Sequence, residues 1–131
     1  MPTPRDAEIR EAYARFAAGD VEGALRLFSA DAAYVNPVAA LEPGTRRGID
    51  EVASALRSIH EQIDFDRIEV RDITEGPGCL LVTLRVEGRG RISGAPIDQL
   101  FYHVLRFAGE QVTAFEWYTG RDEGVGAAGL G

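Results

Sequence analysis

A single cysteine, Cys79, cannot close an intrachain disulfide and offers no thiol cluster for a metal. It fits instead as a small buried residue on a strand. No apolar run approaches the ~18 residues of a membrane-spanning helix. The N-terminal MPTPRDAEIREAY carries acids and has no apolar centre, so it does not read as a secretory signal, and a cytoplasmic protein is expected. Positive charge is also short, with 14 Lys+Arg against 21 Asp+Glu and a net charge of −7. The one basic run is Arg46-Arg47. Phosphate backbones and anionic lipid surfaces need a basic footprint, so neither nucleic acid nor a membrane is an expected partner. A Gly-rich phosphate loop, a serine-triad signature and metal-ligand spacing are missing too, so no cofactor or metal is expected.

What is there is ordinary for a globular protein: 131 residues, 45% hydrophobic and 27% charged. That length predicts one domain over 1–131. Thr3-Pro4-Arg5-Asp6 reads as a helix start, with Thr3 as N-cap, Pro4 in the first helical position and Asp6 in the first turn. Ile9, Ala12, Tyr13, Phe16 and Ala17 follow at helical spacing. Gly19 ends that helix and Asp20 caps a second, with Val21, Ala24, Leu25 and Phe28 as its apolar stripe. Asp31 to Asn36 reads as a short strand that places Tyr34 and Asn36 on one face before the chain breaks away at Pro37. Leu41 to Gly48 reads as a loop around Pro43 and Gly44, and Ile49 to Ile59 as a third helix.

From residue 65 the apolar period changes to two. Phe65 to Ile73, Cys79 to Arg91, Ile97 to Phe107 and Gln111 to Thr119 read as strands. They are separated by turns at Glu75–Gly78, Ser93–Pro96 and Ala108–Glu110. Leu80, Val82, Leu84 and Val86 share one face. Phe115, Trp117 and Thr119 share a face of the last strand, with Glu116 and Tyr118 on the other. The glycines at 124, 126, 129 and 131 predict a flexible tail over 120–131. Helices first and antiparallel strands afterwards predict an α+β fold in the order α-α-β-α-β-β-β-β.

That order resembles the nuclear transport factor 2-like superfamily, which includes ketosteroid isomerase, limonene epoxide hydrolase and the SnoaL-like polyketide cyclases. The resemblance is carried by Gly19-Asp20, Leu27-Phe28 with Asp31-Ala32, Asn36-Pro37 and Gly48. The hairpin from Arg106-Phe107 to Val112 and the ending Ala127-Ala128-Gly129-Leu130 add to it. It implies a cone-shaped, curved antiparallel sheet with three N-terminal helices enclosing a pocket. It implies far less about chemistry, because one fold hosts many reactions.

Carried over position by position, the isomerase machinery is incomplete. Its proton-shuttling aspartate falls on Asn36, which cannot act as that base. Its first-helix tyrosine falls on Ala12, and the adjacent Tyr13 points about 100° away on a helix. Its third acid falls on one of two residues of the penultimate strand. Local sequence, Ala95-Pro96-Ile97-Asp98, favours Asp98, whereas the register counted from the hairpin favours His103. The two lie an odd number of residues apart and face opposite ways in a regular strand. The arginine–aspartate pair of the epoxide hydrolase would fall on Phe101 and His103, and its second aspartate on Trp117. Some SnoaL-like cyclases pair a histidine with an aspartate, for which His103 is a match and the aspartate has none.

The resemblance therefore implies a small-molecule pocket protein for an apolar, oxygen-bearing ligand. As an enzyme it would use His103 as general acid/base and Asn36 to orient an oxygen. Phe16, Tyr34, Ala55, Ile59, Phe101, Phe115 and Trp117 would line the substrate site. The alternatives are a non-catalytic ligand-binding module and a dimeric interaction domain. In those readings His103 is a buried histidine satisfied by a carbonyl or a tyrosine, and Asn36 an Asx turn before Pro37. His60, near the end of the third helix, complements the helix dipole. Tyr102, Val104, Ala114 and Tyr118 put apolar surface on the face opposite His103, which predicts a homodimer.

Overall fold

The computed structural model describes residues 4–37 and 44–131. The chain opens with α1 (Pro4–Ala17) and the single-turn α2 (Val21–Ala24). Gly19 closes α1 at φ 87, with Gly19 N–H donating to Phe16 C=O (3.0 Å) and Asp20 N–H to Arg15 C=O (2.8 Å). This is the paired hydrogen bonding of a Schellman stop, and it suits glycine. Asp20 then caps α2 by accepting from the Gly23 N–H at 2.9 Å. The N-cap expected at Thr3 lies outside the described residues.

Six strands follow: β1 (Phe28–Asn36), β2 (Gly44–Arg47), β3 (Ile63–Gly76), β4 (Cys79–Gly90), β5 (Pro96–Ala108) and β6 (Gln111–Tyr118). The helix α3 (Ile49–Gln62) lies between β2 and β3. The strands form one sheet in the order β2-β1-β6-β5-β4-β3. β3, β4, β5 and β6 are joined as successive antiparallel hairpins. Two register shifts in β3, between Phe65 and Arg67 and between Val70 and Asp72, bend the long β3–β4 ribbon over the helices.

The α+β class is as expected, and four details differ. The sheet is mixed rather than antiparallel, because β1 runs parallel to β6. A parallel neighbour needs a long crossover, and the whole chain between Asn36 and Gln111 supplies it. Second, β1 begins at Phe28, since Phe28 already pairs with Val112. Third, part of the expected Leu41–Gly48 loop is strand. Gly44–Arg47 pairs antiparallel with Ala33–Asn36, while residues 41–43 lie outside the described residues. A Gly-Thr-Arg-Arg edge strand buries little and carries no alternation to read.

Fourth, residues 121–127 of the expected tail form a helix, α4 (Arg121–Ala127). It lies on the outer face of the sheet and forms a second apolar cluster with Cys79, Leu81, Tyr102 and Val104. Gly124 permits the approach, because a Cβ there would stand 2.6 Å from Tyr102 Cβ. Arg106 fastens the end of α4 by donating to Ala127 C=O (2.9 Å), while its Nε donates to Glu116 at 2.5 Å. Tyr102 and Val104, part of the apolar face that motivated the expected dimer, are thus buried against the chain's own C-terminal segment.

The main core lies on the inner face. Leu80, Val82, Leu84 and Val86 of β4 meet Ile9 of α1 and Val52 and Ala55 of α3. Between this sheet face and the helices lies a cavity.

Candidate functional site

The cavity has a volume of about 390 Å³. An engineered cavity of about 150 Å³ holds a benzene, so roughly two or three fused rings would fit. Phe16 of α1, Tyr34 and Asn36 of β1, and Ala55 and Ile59 of α3 all line it. So do Phe101 and His103 of β5, and Phe115 and Trp117 of β6. Among the described residues, no Asp or Glu lines it.

Sheet register determines which β5 residue faces inward. His103 pairs with Trp117 on one side and Val82 on the other, all on the inner face. Asp98 has the opposite parity. It is exposed and accepts two hydrogen bonds from Arg85, Nε to Oδ1 and Nη2 to Oδ2, each 2.8 Å. Arg85 holds the Asp98 carboxyl below its ordinary range. Of these two residues, His103 therefore faces the cavity and Asp98 the outer surface.

The sequence turns Tyr13 about 100° from position 12, yet in the structure Tyr13 lines the cavity. Its hydroxyl lies 2.6 Å from His103 Nδ1, and its ring stacks at 5.6 Å from the imidazole. The inward stripe of a helix is about 100° wide or more, so neighbouring positions 12 and 13 can both belong to it. Ala12 and Tyr13 both line the cavity. The helical spacing of Ile9, Tyr13 and Phe16 was the available signal.

His103 keeps some accessible surface, but that surface faces the cavity. Phe115 meets the imidazole edge-on at 4.6 Å and Phe101 lies at 6.4 Å. Burial drives the imidazole pKa from 6.5 down to about 3, so the ring is neutral at neutral pH. Burial likewise pushes the Tyr13 phenol far up, and it stays protonated. With the phenol donating to Nδ1, the imidazole proton sits on Nε2. Nε2 has no partner among the described residues, and no buried side-chain nitrogen or oxygen there goes unpaired. Nε2 therefore opens onto the cavity as a donor.

Asn36 is oriented by a similar constraint. Trp117 Nε1–H can only donate, and it donates to Asn36 Oδ1 at 2.7 Å. The Asn36 amide NH₂ is thereby turned away from Trp117 and left to donate elsewhere. Tyr34 stacks on Phe115 at 5.4 Å, and burial raises its phenol to about 12 against a lowering influence from Arg46. Arg46, projecting from β2 opposite Tyr34, also lines the cavity and was not singled out in the sequence as a pocket residue.

His60 lies nearer the end of α3. Its Nε2 donates to Phe16 C=O at 2.5 Å, and its ring packs on Phe16 and Phe65. That bond fastens α3 to α1, and His60 does not line the cavity. Cys79 is buried with its thiol toward Ala128 C=O at 3.4 Å. Among the described residues no group of His, Cys, Asp and Glu could hold a metal, and no helix is long and apolar enough to cross a membrane.

Helices packed into a curved mixed sheet over an apolar cavity define an α+β pocket protein of the nuclear transport factor 2-like kind. The family model for the SnoaL-like domain matches residues 9–115, and the chain belongs to that family. Solved structures share the fold. An NTF2-like protein of unknown function from Burkholderia pseudomallei is 22% identical, with 97% of this chain and 98% of that one covered and a TM-score of 0.77. A ketosteroid isomerase-like protein from Catenulispora acidiphila, in complex with trimethylamine, is 19% identical over 99% of this chain and 96% of that one, with a TM-score of 0.74. TerC, co-crystallised with polyporic acid, is 21% identical over 92% and 95%, with a TM-score of 0.76. No curated protein matches the chain.

Proposed function

We propose that this protein binds a small, largely apolar, oxygen-bearing molecule in the inner cavity and acts on it without a cofactor, in the manner of SnoaL-like cyclases and isomerases. One observation carries the reading: a neutral histidine, held by a buried tyrosine at 2.6 Å, presents a donor to a largely apolar cavity. In such surroundings a donor aimed at a carbonyl oxygen stabilises the negative charge that develops when a neighbouring C–H is lost or a C–C bond forms. Asn36 offers a second donor, with Trp117 fixing which way its amide faces. The aromatic walls would hold the ring system in place. That related folds were crystallised with small organic molecules supports an occupied pocket.

A second reading is a binding module with the same cavity and no chemistry. It is favoured by the lack of a carboxylate among the described lining residues and by the depressed His103 pKa. A panel of cyclic ketones and β-dicarbonyl compounds separates the two. Each is tested for turnover and for a ligand-induced rise in melting temperature. In the enzyme reading His103→Gln keeps the ligand shift and loses turnover, and His103→Ala loses both. In the binding reading wild type shows shifts and no turnover. No shift with any compound rejects both.

A homodimer and a cytoplasmic location complete the proposal. With α4 over Tyr102 and Val104, the surface left to a second copy is the rest of the outer face around the exposed Leu100. Sedimentation that shows a monomer at micromolar concentration rejects the dimer.

A further inference from the structure

We infer that the ligand carries a carboxylate, and that Arg46 is the residue that receives it. The inference rests on the cavity being a ligand site, as proposed above, and names the chemical class of the ligand.

The first observation is that Arg46 stands apart from the other arginines. Where an arginine is less than exposed, its guanidinium is otherwise engaged. Arg5 donates to Gly109 C=O and lies over the Phe107 ring. Arg15 pairs with Glu11 and Asp20, Arg85 with Glu87 and Asp98, and Arg106 with Glu116. Arg46 is partly buried and has no carboxylate or carbonyl partner among the described residues. A half-buried guanidinium without an anion loses hydration and gains nothing in return.

The second observation is the balance of charge around the cavity. The protein as a whole carries a net charge of −7, yet among the described residues Arg46 is the sole charged side chain lining this cavity, since none of the described acids lines it and His103 is neutral. Described walls that hold one cation and no anion favour a ligand of opposite charge. The low dielectric of the walls strengthens that preference.

The third observation is where the donors stand. Arg46 pairs with Tyr34 across β1 and β2, and Asn36 pairs with Gly44 in the same ladder. Tyr34 and Asn36 share a strand face, so Arg46, Tyr34 and Asn36 face the cavity from its β1–β2 side. The Asn36 amide is already oriented by Trp117. A planar fork of N–H donors with an amide nearby matches the planar, two-oxygen carboxylate. β2 is an edge strand of the sheet, and Arg46 on it is only partly buried. The apolar lining, which includes Ile9, Val52 and Leu84, would take the apolar body. An aromatic or alicyclic carboxylate with roughly two or three rings satisfies both the cation and the apolar lining.

The test uses benzoate, 2-naphthoate and 2-anthroate with their uncharged carboxamides. Binding is measured by calorimetry at neutral pH to wild type, Arg46→Gln and Arg46→Lys. Wild type is expected to bind the best-fitting carboxylate at least about tenfold more tightly than its carboxamide. Arg46→Gln should bring the two within about twofold of each other by weakening the acid alone, and Arg46→Lys should retain part of the preference. Folding of each variant is checked by its melting temperature, and edge-strand Arg46→Lys guards against a misfolded Arg46→Gln. If wild type binds carboxamides as well as carboxylates, or if Arg46→Gln keeps the preference, the inference is overturned while the cavity remains a ligand site. If no acid, no amide and no compound of the ketone panel binds, the inference and the proposed function fail together.

Discussion

Tyr13 and His103 lie 90 residues apart in the chain and 2.6 Å apart in space, phenol oxygen to imidazole Nδ1. The bond joins the first helix to the centre of the sheet and determines which imidazole nitrogen faces the cavity. Tyr13→Phe removes the hydroxyl and leaves Nδ1 buried without a donor. We expect a loss of ~1–3 kcal/mol in denaturant melts, and a much smaller loss when the same change is made in His103→Leu. Equal losses in the two backgrounds would show that the bond does not couple the residues.

The His103 shift has a defined consequence for stability against pH. Its folded pKa lies at about 3, below the ordinary 6.5, so between those values the unfolded chain binds a proton that the folded chain excludes. The stabilisation is complete above about 6.5 and is lost as pH falls toward 3, at ~1.4 kcal/mol per pH unit at most. Among the described residues no lining carboxylate would hold a charge on the ring. His103→Gln should flatten this part of the profile. The measurement is the wild-type minus variant difference in unfolding free energy, which cancels the contribution of the acids elsewhere. A difference independent of pH would contradict the shift.

Trp117 is the only tryptophan, so intrinsic fluorescence reports directly on its hydrogen bond to Asn36. Asn36→Leu should change the emission maximum and cost ~1–2 kcal/mol by leaving the indole N–H unpaired. Asn36→Asp keeps an acceptor for the indole N–H and should preserve the emission, and its carboxylate would share the β1–β2 side of the cavity with Arg46. Neither an unchanged emission in Asn36→Leu nor a shifted emission in Asn36→Asp fits the geometry.

Two glycines of α4 make a paired test of how that helix is held. Gly124→Val drives a Cβ into the Tyr102 side chain and should lift α4, at ~1–3 kcal/mol, exposing Tyr102 and Val104. Concentration-dependent association should then appear or strengthen in sedimentation velocity. Gly126→Ala meets nothing within 4 Å and should stabilise the helix by up to ~1 kcal/mol. If both variants behave alike, α4 is not packed by close approach.

Much of this protein follows from local pattern. The alternation of Leu80, Val82, Leu84 and Val86 dictated a strand with one buried face, because the pleat has a period of two. Gly19-Asp20 dictated a helix stop and restart, because the first tolerates positive φ and the second caps free N–H groups. The short turn after Phe107 determined strand register, and register alone turned His103 inward and Asp98 outward. Other features had no local signature. Gly44–Arg47 becomes a strand because β1 offers it an edge, and the parallel pairing of β1 with β6 arises only when distant segments meet. The glycines that read as a loose tail are what let α4 lie against Tyr102. Tyr13 and Arg46 gained their place at the cavity from residues far away in the chain. Periodicity registers which way a side chain faces, whereas the group it finds there depends on how whole elements pack.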